Sequence, residues 1–62
     1  MKSIGAMIKQ IAGLHGTSDV TRWENGFIAA IVEFTDRGQD TTRLTEKQLA
    51  VIDRLYEQHF AG

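Results

Sequence analysis

The chain has 62 residues, a formal net charge of -1, 42% hydrophobic and 24% charged residues, and neither cysteine nor proline. That length holds one domain at most, the composition argues against disorder, and the missing cysteines exclude a disulfide framework and thiolate metal sites. The charge exerts no global pull toward nucleic acid or an anionic membrane, and a chain this short buries only about 60% of its unfolded surface, so dimerisation or a permanent partner is an expected supplement.

The first helix is predicted from Ser3 to Leu14. Ile4, Met7, Ile8, Ile11 and Leu14 follow a 3.6-residue period and make one apolar stripe, while Lys9 and Gln10 face away. Gly13 and Gly16 bracket His15 and offer left-handed positions to end the helix. Gly5 in the first turn costs up to about 1 kcal/mol relative to alanine, so this helix should fray unless docked. Lys9 and Gln10 also interrupt the apolar run, so the segment fits neither a signal peptide nor a membrane span, and a cytoplasmic protein is expected.

A second helix follows the turn Thr17-Ser18-Asp19. Thr21 and Glu24 form a capping box, although Ser18 or Asp19 could cap one turn earlier, and the end is expected near Gly38. This helix carries two apolar stripes. Trp23, Phe27, Ala30, Ile31 and Phe34 make one; Ile28 and Val32 make a second, about 100° further round. Together they exceed what one neighbour needs. Either the helix is central, with neighbours on both sides, or its second stripe meets another molecule.

Residues 36–43 are a polar connection. The third helix has the strongest start signal: Thr45 and Gln48 make a capping box, Leu44 can staple onto Leu49, and Glu46 complements the helix dipole. Leu49, Ile52, Leu55, Tyr56 and Phe60 form its core stripe, with Gln48 and His59 in the same arc. Lys47, Ala50, Asp53, Arg54, Glu57 and Gln58 cover the outside. The expected architecture is an all-α three-helix bundle, with helices at about 3–14, 19–37 and 45–60 in a single domain over 1–62.

Chemistry is sparse. The two histidines, His15 and His59, lie near helix ends, where each is expected as a half-buried histidine capping terminal carbonyls; a bundle could bring them together, but nothing in the sequence requires it. No phosphate loop, metalloprotease or EF-hand pattern occurs, and Asp36 and Asp40 lack the further oxygen ligands of a calcium loop. Neither an enzyme nor a cofactor or metal is expected. A nucleic-acid-binding accessory domain is the alternative, using Lys2, Lys9, Arg22, Arg37, Arg43 and Lys47 if the fold gathers them. Against it, the exposed face of the third helix mixes its basic residues with Glu46, Asp53 and Glu57, which repel phosphate. Trp23 is either the anchor of the core or, if exposed, a hot spot for a protein partner.

The spacing Trp23-Glu24 then Phe27-Ile28, followed by Leu44-Thr45-Glu46-Lys47-Gln48 and the run through Ile52, Leu55 and Tyr56, resembles a helical segment of small phage and prophage proteins. It also resembles segments at the ends of some phage DNA-metabolism proteins, and it covers roughly residues 18 to 60. The resemblance implies a phage-type, non-catalytic role directed at a partner in the host cytoplasm, an anti-CRISPR-like inhibitor being one form of it. The surface expected to bind a protein, or a second copy in a homodimer, is Ile28 and Val32 with Trp23, Tyr56 and Phe60.

Overall fold

In the computed structural model, which describes residues 3–60, the chain forms α1 (Ile4–Ala12), α2 (Arg22–Phe34) and α3 (Glu46–His59), with no strand among the described residues. The helix starts follow the capping chemistry. The Ser3 hydroxyl accepts from the Ala6 N–H at 3.2 Å. Thr21 with Glu24, and Thr45 with Gln48, close both bonds of their capping boxes, which places the start of α2 at the latest of its three candidate caps. None of these helices is long and apolar enough to cross a membrane.

α1 is the middle helix. Its backbone lies close to both α2 and α3, which do not approach each other as closely. The core is therefore built around Met7, Ile8, Ile11 and Leu14, met by Ile28 and Ile31 from α2 and by Ile52 and Leu55 from α3. Of the predicted α1 stripe, Met7, Ile8, Ile11 and Leu14 are buried and Ile4 is half-buried against them. The outer face of α3 is exposed throughout, while Leu49 and Tyr56 are only half-buried and Phe60 is 39% exposed. Val51, assigned to neither face from its spacing, packs against the core.

The ends of α1 and α2 are tied by contacts between residues far apart in sequence. At one end the Asn25 side chain accepts the Gly16 N–H at 2.6 Å, holding the turn in which Gly16 has φ +80°. Gly13, by contrast, is right-handed at φ -68°. At the other end Gly5 of α1 meets Gly38 backbone to backbone. A Cβ on Gly5 would collide with the Gly38 carbonyl, and one on Gly38 would lie 2.6 Å from the Gly5 carbonyl oxygen. The glycine that weakens α1 in isolation is thus what allows it to dock.

α2 ends four residues before Gly38, not beside it, because Thr35 stops it. Thr35 is fully buried; its hydroxyl donates to the Ile31 carbonyl at 2.7 Å and accepts from the Gly38 N–H at 3.0 Å. Asp36, Arg37 and Gly38 then all take positive φ (51°, 60° and 88°). Left-handed backbone costs a non-glycine residue of order 1 kcal/mol or more. The bonds that hold it here are Arg37 N–H to Val32 O at 2.8 Å and Asp40 N–H to Thr35 O at 2.9 Å, together with the Thr35 bridge.

Candidate protein-binding face

The face of α2 turned away from α1 carries the largest exposed apolar groups. At about 100° per residue, Trp23, Phe27, Ala30 and Phe34 recur at i, i+4, i+7 and i+11 within about 60° of arc. Trp23 is 59% exposed and Phe34 41% exposed; Ala30 is exposed and Phe27 half-buried. The Trp23 and Phe27 rings stack with centroids 5.6 Å apart and planes 12° from parallel. This is the i, i+4 neighbour relation of a helix surface, and it sets the largely exposed indole against the half-buried Phe27 ring.

The far end of the stripe is shaped by the connection to α3. The Asp40 carboxylate accepts from the Thr42 hydroxyl at 2.7 Å and from the Thr42 N–H at 3.2 Å. Those two bonds, first the hydroxyl and then the backbone, hold its pKa below the ordinary 3.8, with the Arg43 charge adding to them and slight desolvation opposing. The same tight turn delivers the Arg43 guanidinium over the Phe34 ring, 5.0 Å from its centroid, a cation–π contact that leaves part of the ring open. The stripe thus runs from an indole at the start of α2 to a cation-capped phenyl at its end.

The expected binding residues divide. Trp23 is at the surface. Ile28 is fully buried in the core, and Val32 is half-buried and packed against it; these two assignments are corrected. The first stripe divides, with Ile31 buried and Phe27 packed against the core while Trp23, Ala30 and Phe34 are exposed, and the second stripe is inside, because the α1 side chains fill the space beside Ile28 and Ile31. Tyr56 packs against the core with its ring 5.8 Å from that of Phe60. Phe60 itself lines a shallow hollow between α1 and α3 with Lys9 and Leu14. Phe27 is half-buried and packs against the core while its ring stacks on Trp23, so of that stripe Trp23, Ala30 and Phe34, with Arg43 over the Phe34 ring, make the open part of the candidate face.

Of the basic residues expected to contact nucleic acid, Lys9, Arg37 and Arg43 lie apart, and Arg22 and Lys47 are exposed. Lys9 lines the α1–α3 hollow and Arg37 the α1–α2 hollow, on different sides of α1; Arg43 lies on Phe34. Lys2 falls outside the described residues. His15 is exposed and lines the α1–α2 hollow with Glu33 and Asp36, but no group of three or more metal-ligating side chains comes together among the described residues. His59 is half-buried, and its Nε2 is enclosed without a hydrogen-bond partner. Against known proteins, the chain matches no family model, no curated protein and no solved structure.

Proposed function

We propose that this chain is a non-catalytic protein-binding module, of the phage type its sequence resembles, and that it binds through the aromatic face of α2. The observation that carries the reading is the outward Trp23–Phe27 stack, with Trp23 59% exposed on a helix whose opposite side fills the core. Tryptophan anchors are enriched among the residues that dominate protein interfaces, and contiguous exposed apolar surface marks such sites. The dispersal of Lys9, Arg37 and Arg43 weakens the nucleic-acid alternative, which needs several cations on one track.

Photo-cross-linking in the expressing cell tests this. A benzophenone side chain in place of Trp23 should give discrete protein adducts, whereas one in place of Arg54, on the outer face of α3, should give none. Adducts from both positions alike, from neither, or only with nucleic acid would refute the assignment.

A further inference from the structure

Around α2 the exposed residues fall into three adjoining strips. Gly26 and Ala30 lie about 40° apart and form the middle one. Trp23, Phe34 and Phe27 occupy about 40° on one side of them, and Ala29, Arg22 and Glu33 about 40° on the other. All but Phe27 are exposed. Gly26 has no role within the chain that the absence of a side chain explains: a Cβ there would meet nothing within 4 Å, and its φ is not left-handed. It lies inside a 13-residue helix, where glycine costs about 1 kcal/mol relative to alanine.

We infer that the occupant of this face is a second copy of the chain, with the two α2 helices packed antiparallel across Gly26 and Ala30. This rests on the reading of the face as protein-binding. The face is self-complementary in charge and shape. In a two-fold antiparallel pair each flank meets its own counterpart with the chain direction reversed. The pair centred at position 28 sets Gly26 against Ala30 of the second copy, small against small, so the helices can approach closely. Arg22 lies six residues (about 9 Å) before that centre and Glu33 five residues (about 7.5 Å) after it, so each Arg22 reaches Glu33 of the other copy within about 1.5 Å of axial offset. On the other flank the same operation sets Trp23 beside Phe34 of the second copy, where Arg43 already stands over the ring. A two-fold pair in the parallel sense would set each flank against the opposite one, leaving Arg22 and Glu33 beside the aromatic strip of the other copy and not beside each other. One antiparallel register satisfies the cation, the anion, the aromatics and the glycine together.

Native mass spectrometry with sedimentation velocity across a concentration series tests the inference through charge reversal. The wild-type chain should show a mass of two chains that dissociates on dilution. Arg22→Glu and Glu33→Arg should each weaken association by roughly tenfold or more, because the two-fold axis doubles every like-charge contact. The double variant R22E/E33R should recover it, while Arg54→Glu on the outer face of α3 leaves it unchanged. Gly26→Leu should keep its helical circular dichroism, since the site is open in the single chain, yet remain a monomer. A wild-type chain that is monomeric at every concentration, a double variant as weak as the single ones, or a dimeric Gly26→Leu overturns the inference. The two failures separate: a monomeric chain whose position-23 cross-linker captures a different protein refutes self-pairing alone, and one that captures no protein refutes the binding face as well.

Discussion

Two glycine-to-alanine changes, one in α1 and one in α2, should move stability in opposite directions. In a helix this substitution is ordinarily stabilising by up to about 1 kcal/mol, since alanine loses less backbone freedom on folding. Gly26→Ala meets open space and should show that gain, raising Tm by roughly 4–8 °C in a domain of this size. Gly5→Ala drives a methyl into the Gly38 carbonyl. That oxygen belongs to backbone, and Gly38 is held from the other side by the buried Thr35 hydroxyl, so no side-chain rotation relieves the contact. Forcing a methyl into a packed site costs about 1–3 kcal/mol. After the helix-propensity gain of under about 1 kcal/mol at a first-turn position, a net loss of about 1–2 kcal/mol remains, or roughly 4–16 °C in Tm. Thermal unfolding followed by circular dichroism, at a concentration low enough to keep each variant monomeric, reads both. A Gly5→Ala variant as stabilised as Gly26→Ala would refute the close approach of α1 to the 36–38 turn.

Ile28→Ala should cost about 2–5 kcal/mol, a large part of the stability of so small a domain, whereas Trp23→Ala should lose only the stack on Phe27, about 0.5–1.5 kcal/mol. Urea midpoints of the two variants check this, and equal losses would return Trp23 to the core. Asp40 sets an acid limb: its folded pKa lies below the unfolded one, so its contribution is complete above the unfolded value and is lost as pH falls through the folded value. Asp40→Asn should therefore differ from wild type near neutrality and converge with it in acid. A gap that stays constant with pH would remove the Thr42 bonds as its cause.

The start of α3 was legible because capping is local, whereas that of α2, expected at about residue 19, falls at Arg22 because three capping side chains compete within one turn. Thr21 with Glu24, and Thr45 with Gln48, are three residues apart, and nothing beyond that span decides whether they bond. The end of α2 was misplaced for the opposite reason. Its stop depends on Thr35 being buried and on Gly38 meeting Gly5, two consequences of α1 lying across the turn. The Asn25 bond to Gly16 joins residues nine apart in sequence and leaves no periodic trace either.

The division of the first α2 stripe and the burial of the second have the same origin and bear directly on function. Hydrophobic spacing shows that Trp23, Phe27 and Phe34 share one arc and that Ile28 and Val32 share another; it does not say which arc meets the rest of the protein. That is decided by α1, which stands between its neighbours and presents isoleucine, leucine and methionine to both. The fully buried apolar side chains are all isoleucine or leucine, groups of nearly equal volume that interdigitate in a narrow core, where an indole would leave its neighbours misfitted. Ile28, Ile31, Ile52 and Leu55 supply what α1 needs, so the aromatic residues are not required inside. The arc of α2 that makes the fold and the arc left to bind are thus different residues, and substitutions at Ile28 and Trp23 separate stability from association.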